Sequence, residues 1–411
     1  MGQQPLSKAV RKQIVAALKA TEWRTTYALR KLKASGIIVA QGTVSSVKRQ
    51  EKEAGRIPPE ATKPGRGKLI LQAVDPLDPI LRADVLKRLR VRFTSVKHLA
   101  KLLHATPETI TEVIDHVEHR GYNVLRDGDR VRICKEAPTG TIQRVRRSLL
   151  TGEVHRFGII GDTHTCSHFE RNDVIEDAYA EYKRQGITEV YHAGNMVDGE
   201  FKFNRFELYA HGVTDQCHYF LDHYPSVPGI TTFLISGDCH EGWWQKDTGL
   251  NFGRYLQFEA EAAGRKDIRF IGHIEADVEF QGELGSSIMK IMHPGGGSAY
   301  AWSYAPQKII ESFQGGEKPA MLVCGHYHKA EYMCVRNVHS IQAGCTQDQT
   351  TFMRKRKLQA VVGYWVVEIE LDINGAIRRC SPTFTTYYDR SYHIVHTAAP
   401  AKKKRSGKAR R

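Results

Sequence analysis

The period of the apolar residues changes once along the chain. In the first 120 or so residues they recur at helical spacing, and beyond residue 153 short β-branched runs alternate with helical stretches. Val10, Ile14, Val15 and Leu18 share one face of a helix predicted over 8–20. Tyr27, Leu29 and Leu32 mark a second helix over 25–34, which Ser35-Gly36 ends. A third is predicted over 44–53 with Thr43 as its N-cap. Helix, helix, turn and a short polar helix resemble a helix-turn-helix over 1–56, whose Ser45, Lys48 and Arg49 would face a DNA groove.

Residues 57–79 read as a Pro/Gly-rich linker. Helical spacing returns over 81–89, over 95–103 and after Thr106-Pro107, where Thr caps and Pro takes the first helical position. A hairpin over 122–134 follows, with Asp127-Gly128 at its turn. Three helices and a hairpin resemble a winged helix over 80–136, with Arg126, Arg130 and Arg132 on the wing. Glu108, Glu112, Asp115 and Glu118 on its third helix oppose deep insertion into a groove. A second linker is expected over 137–153.

Over 154–392 the expected strands are 157–160, 188–192, 231–235, 269–280, 286–292, 320–324, 330–335, 339–343, 360–371 and 376–385. Helices are expected over 173–185, 203–223, 251–263 and 302–313. The class is α/β, turning more β-rich in its second half. Five runs end alike: in Gly161-Asp162-Thr163-His164, in Gly194-Asn195-Met196-Val197-Asp198, in Gly237-Asp238-Cys239-His240-Glu241, in His293 and in Gly325-His326-Tyr327-His328. Open α/β sheets place their sites at strand carboxyl ends. One residue between Asp162 and His164, as between His326 and His328, lets both side chains leave a strand end on one side. Carboxylate, amide and imidazole together suit manganese, iron or zinc better than calcium. A pair of such cations clamps a phosphoryl group and supplies hydroxide at neutral pH.

Charge divides the chain. Residues 1–153 carry 30 Lys and Arg against 15 Asp and Glu, and the tail 393–411 carries seven basic residues and no acidic one. The segment between is net acidic, so the basic appendages are expected to meet a polyanion. No apolar run reaches the length of about 18 residues that spans a membrane. Eight scattered Cys without a CxxC pair fit reduced thiols, and the expected location is the cytoplasm or the nucleoid. Trp243-Trp244 offer a surface for base stacking, and Arg354-Lys355-Arg356-Lys357 a contact for a nucleic-acid backbone.

The five strand-end motifs resemble those of the calcineurin-like metallophosphoesterase superfamily, whose pattern is GDxH, GDxxDxG, GNH[DE], a lone His and GHxH. The match covers roughly residues 154–390. The resemblance implies an αββα sandwich, two divalent ions (manganese first, with iron, zinc and magnesium open) and hydrolysis of a phosphate ester. It assigns Asp162, His164 and His328 to one metal, Asp238, His293 and His326 to the other, and Asn195 to the bridge. The bridge is Asp in the family, and the residue matched to Asp238 is Asn. Directly after that amide the family has an acid His, where this frame puts Cys239. His240, one place later, takes the acid's role if the loop is one residue longer. Asp198 matches the carboxylate that supports this His, and Gly199 stands where the family has Arg. The expected function is a DNA-directed phosphodiesterase acting on nucleic acid, DNA ahead of RNA, with no membrane and an open oligomeric state. A DNA-binding regulator with a weakened centre and a protein or small-molecule phosphatase are the competing readings.

Overall fold

The computed structural model describes residues 7–20, 25–54, 78–136, 144–297, 299–388 and 390. The tail and most of the first linker lie outside them. By internal contacts the chain divides into two units, one of residues 1–87 and 95–113 and one of 88–94 and 114–411.

In the first unit, helices Lys8–Ala20, Thr25–Ala34 and Gln41–Glu53 pack around Ile14, Leu18, Ala28, Leu32, Val44 and Val47. The third helix starts three residues before its expected start. Ala40 caps it without a side-chain hydrogen bond, so Thr43 is inside the helix and caps nothing. Val44 and Val47 turn inward, which leaves Ser45 and Arg49 exposed and Lys48 partly so. Helices Pro79–Leu89, Val96–Leu103 and Pro107–His119 follow. Thr106 Oγ1 accepts from the Thr109 amide at 3.1 Å, the cap its sequence predicts.

The hairpin pairs Val124–Asp127 with Arg130–Ile133, so its turn is Gly128-Asp129, one residue later than expected. Gly128 has φ +58°, and a glycine leading a two-residue turn is the form that matches strand twist. The wing arginines are engaged within the protein. Arg126 bonds Asp115 at 2.7 Å and Glu118 at 2.6 Å, and Arg130 and Arg132 lie over the Phe93 ring.

The second unit is built on two six-stranded mixed sheets. The first runs Ile377–Tyr387, Val362–Leu371, Val154–Ile160, Glu189–His192, Thr231–Ser236, Ile268–His273. The second runs Ala330–Val335, Val338–Ala343, Met321–Cys324, Ser286–Met292, Glu275–Gln281, Arg144–Ser148. Phe157, Ile159, Tyr191, Val278, Ile291, Val323, Ile341 and Val367 fill the space between them. Helices Asn172–Arg184, Gly212–His223 and Phe252–Ala262 cover the outer face of the first sheet, and Tyr304–Ser312 that of the second. The layers are αββα, as the resemblance implies.

Four local expectations are corrected. Arg144–Ser148, assigned to a linker, is an edge strand parallel to Glu275–Gln281; Val145 packs inward between arginines that pair with Asp277 and Glu279. The strand region expected over 269–280 divides between the two sheets, as Ile268–His273 in one and Glu275–Gln281 in the other, and Ile274 between them has φ +70°. The helix expected over 203–223 begins at Gly212; before it lie a 3-10 turn at Arg205–Glu207 and a loop that exposes Phe201, Phe203, Phe206 and Tyr209. Two short helices, Gly242–Thr248 and Thr351–Arg356, were not legible as periodic runs.

Phe157 is fully buried where the two sheets meet. Phe157→Ala is expected to cost about 3–5 kcal/mol in a denaturant titration, the range for truncating a core phenylalanine.

Candidate metal centre

Five strands deliver the centre. Val154–Ile160, Glu189–His192 and Thr231–Ser236 are parallel neighbours, as are Ser286–Met292 and Met321–Cys324 in the other sheet. Their carboxyl ends therefore open on one edge of the sandwich. The motif glycines let these ends close up. A Cβ on Gly194 would lie 2.5 Å from His293 Nδ1, and one on Gly237 would lie 2.7 Å from His293 Cδ2. Glu241, fully buried, ties two of the loops: its Oε1 accepts from the amides of Asn195 (2.8 Å) and Gly237 (2.9 Å).

Hydrogen bonds orient the imidazoles. His164 Nδ1 donates to Asp198 at 2.9 Å, His293 Nδ1 to the Ala193 carbonyl at 2.7 Å, and His326 Nε2 to the Gly296 carbonyl at 2.8 Å. Each acceptor fixes a tautomer and leaves the other ring nitrogen with a lone pair. Those lone pairs converge. His164 Nε2 lies 3.1 Å from His328 Nε2 and 3.7 Å from Asp162 Oδ1, and His328 Nε2 lies 3.3 Å from the same oxygen. On the other side His293 Nε2 lies 4.0 Å from Asp162 Oδ1. The second carboxylate oxygen of Asp162 accepts from the His326 amide at 2.8 Å. Asp162 thus stands between two groups of nitrogens.

The domain resembles the calcineurin-like metallophosphoesterase fold. Its sandwich and its strand-end motifs fall where that resemblance requires. Solved structures of similar fold include an archaeal phosphodiesterase (14% identity, 56% of this chain and 100% of that one, TM-score 0.32). They also include the zinc complex of Vps29 from Entamoeba histolytica (13%, 56% and 99%, 0.28) and a 5'-nucleotidase-like protein from Staphylococcus aureus (11%, 59% and 57%, 0.34). No protein-family model matches the sequence, and no curated protein is similar to it in sequence.

Of the residues the motifs single out, this centre brings together Asp162, His164, Asn195, His293, His326 and His328. Asn195 Nδ2 reaches Asp162 Oδ1 at 3.3 Å. Asp238 is not brought in. Its carboxylate turns outward to Lys246 at 3.1 Å, and Cys239 takes its place, with Sγ 3.6 Å from His326 Nδ1 and 3.8 Å from His293 Nε2. The motif therefore reads one residue later than the resemblance aligned it. Cys239 stands at the amide position and His240 directly after it, and Asp238 is the extra loop residue that lets His240 take the acid's place. The apparent exchange of acid and amide between Asn195 and Asp238 dissolves. Read from Cys239, the run Cys239-His240-Glu241 follows the family's order, with Asp238 inserted after Gly237.

His240 Nδ1 donates to the Asp198 carbonyl at 2.8 Å and lies 3.4 Å from its carboxylate, and its ring stands edge-on to that of His164. Asn204 holds the other Asp198 oxygen at 3.0 Å. Gly199 explains the missing arginine, since a Cβ there would lie 2.4 Å from the His240 carbonyl oxygen.

The donors fit divalent ions. In a tetrahedron with metal–ligand bonds of about 2.0–2.1 Å, ligand atoms stand about 3.3–3.4 Å apart; Asp162, His164 and His328 stand 3.1–3.7 Å apart. His164 Nε2 and His328 Nε2 at 3.1 Å share one proton between them in the absence of a cation, and the His328 Nδ1 on the far side of its ring is buried without a partner. Burial alone would raise the Asp162 carboxyl, but His328, His293 and His164 hold it well below the usual range. Burial would lower His164, yet Asp162 and Asp198 carry it up to about 9. Burial keeps His293 neutral, lowering it to about 4, and lowers His328 as well. Ionised Asp162 beside neutral His293 and His328 is the protonation state of a ligand set, and at His164 a bound cation would displace the proton that the two carboxylates otherwise hold there.

Strain collects here. Asp162, His164, Asn195, His240, His326 and His328 all have φ between +44° and +81°. A left-handed residue other than glycine costs about 1–2 kcal/mol, less for Asp and Asn. Strain held by surrounding structure marks functional sites.

A bound cation offsets part of that cost. Zinc or manganese at about 100 times its Kd is expected to add about 2.7 kcal/mol of stability. For a domain of this size that raises Tm by about 5–10 °C. Differential scanning calorimetry with and without a chelator measures the shift, and equal Tm values would exclude metal binding to the native state.

Proposed function

We propose that this chain is a metal-dependent phosphodiesterase acting on nucleic acid, DNA ahead of RNA. The observation that carries the proposal is a convergent ligand cluster on the floor of a cleft walled by exposed aromatic rings. The cleft holds about 320 Å³ and is lined by His164, Asn195, His240, His326, His328 and Phe352, among others. Phe203 packs against Phe352 and Trp243, with ring centroids 5.9 and 5.6 Å apart, and Phe201 against Trp243 at 5.3 Å. Phe201, Phe203 and Phe352 are each about half exposed, a poor use of large apolar rings unless flat groups stack on them. Trp244 stacks on Phe252 against the core and takes no part.

The helix bearing Phe352 continues into Arg354, Lys355, Arg356 and Lys357, all exposed. Arg356 lies over the Phe352 ring, and the exposed charges of this turn offer contacts to phosphates. Arg126 is a poor candidate for such a contact, since Asp115 and Glu118 already neutralise it. DNA is placed ahead of RNA on the helix-turn-helix resemblance of 1–56, with its exposed Ser45 and Arg49 and its partly exposed Lys48.

Asp162, His164 and His328 would hold one divalent ion, and Asp162, His293 and His326 the other, with Asn195 between. Such ions polarise a phosphoryl oxygen and lower the pKa of water. The protein's own part is to orient and to move a proton. Asp198 fixes the ring of His164. His240, with Nδ1 committed to a carbonyl and the Asp198 carboxylate nearby, has Nε2 left to protonate the leaving oxygen. A second reading, a DNA-binding protein with a weakened centre, draws on Asn195, which is neutral where the resemblance expects a carboxylate. Asn195→Asp then raises activity; in the enzyme reading it does not.

Two outcomes follow for nuclease assays with added manganese or zinc. Asp162→Ala and His328→Ala are each expected to lower kcat by about 100-fold or more, the scale of losing one group that stabilises transition-state charge. Phe203→Ala and Phe352→Ala are each expected to cost about 1–3 kcal/mol per stacked base on single-stranded oligonucleotides, read as a higher KM. A small aliphatic phosphodiester should be cleaved as before. Equal losses on both substrates would reject stacking, and phosphate release from phosphopeptides without any cleavage of DNA or RNA would reject the nuclease reading.

A further inference from the structure

The two halves of the centre are chemically unlike. Around Asp162, His164 and His328 the donors are one carboxylate and two imidazoles, with no sulfur. Around His293 and His326 the third donor is the Cys239 sulfur. A tetrahedral site with bonds of about 2.3 Å to sulfur and about 2.0–2.1 Å to nitrogen has sulfur–nitrogen edges of about 3.6 Å. The edges found are 3.6 Å to His326 and 3.8 Å to His293. Both imidazoles present a lone pair there, because their opposite nitrogens donate to the Gly296 and Ala193 carbonyls. Asn195 closes a fourth side, with its amide oxygen 3.7 Å from the sulfur. The carboxylate that might have made this half harder, Asp238, is turned out to Lys246.

Resting on the metal-dependent reading above, we propose that Cys239 is a thiolate ligand and that it makes the centre asymmetric. The Cys239–His293–His326 half selects a thiophilic ion such as zinc. The Asp162–His164–His328 half takes a harder ion such as manganese. Thiolate ligands favour zinc over manganese strongly, while carboxylate and imidazole discriminate less.

The test uses the full chain, stripped with a chelator and reloaded. Cobalt(II) should give an intense thiolate-to-cobalt absorption in the near ultraviolet. The band should vanish in Cys239→Ser and persist in Cys334→Ser, which removes an exposed thiol elsewhere. Zinc should bind the first equivalent more tightly than manganese. Cys239→Asn should lower that zinc affinity by at least about 10–100-fold, the loss that follows even from removing an outer partner of a ligand. X-ray absorption of the zinc-loaded wild type needs no variant and should show a sulfur neighbour at about 2.3 Å. Two metals bound with no sulfur neighbour and no thiolate band would overturn the role of Cys239 and leave the metal-dependent reading intact. A band that survives in Cys239→Ser would do the same. A wild type that takes up no metal at all would overturn both.

Discussion

A carboxylate buried in a protein must be compensated, and Asp162 is fully buried at the point where five strand ends meet. One of its oxygens faces His164, His293 and His328, and the other takes the backbone amide of His326. The uncompensated charge would cost several kcal/mol. The surrounding motifs are arranged around that requirement. The tautomers of His164 and His293 are set by acceptors on the far side of each ring, so that their Nε2 atoms point back toward the carboxylate, while the Nδ1 of His326 faces Cys239. The glycines at the strand ends then let the backbone approach His293 closely enough for both groups of donors to share one oxygen.

This convergence explains why so many residues of the centre adopt left-handed backbone. A side chain leaving a strand end normally follows the pleat, alternating between faces. Asp162 and His164, like His326 and His328, are two apart and so share a side, and the positive φ at each of them turns the chain as it leaves the strand end beside the centre. The packed sandwich beneath holds the turns in place. Stability generated between the sheets is spent at their edge, where the donors are held in position for a cation.

The cleft above the centre has a different character. Its rings come from a loop over 199–211 and from the short helix Thr351–Arg356, neither of which belongs to the sandwich core. Metal chemistry and substrate recognition thus sit on separate parts of the chain, the first on rigid strand ends and the second on connecting segments. The basic residues follow the same division. They concentrate in the N-terminal third, the tail and residues 354–357, while the sandwich segment that carries the centre is net acidic.

The sequence alone determined the sandwich strands other than Arg144–Ser148, the longer helices between them and six residues of the centre. These are local properties: apolar period, a capping Thr before Pro107, and ligand-type residues where an apolar run stops. Tertiary structure decided the rest. Whether Asp238 or Cys239 faces the centre depends on how the loop turns and on Lys246 drawing the carboxylate outward, and no period signals that choice. Arg144–Ser148 became a strand because Glu275–Gln281 offered an open edge and acidic partners, so its arginine-rich pattern spoke for a linker until that edge existed. Arg126 looked free for phosphate until helix Pro107–His119 brought Asp115 and Glu118 to it. In each case the deciding interaction joins residues that are distant in sequence or set at an angle only the fold defines.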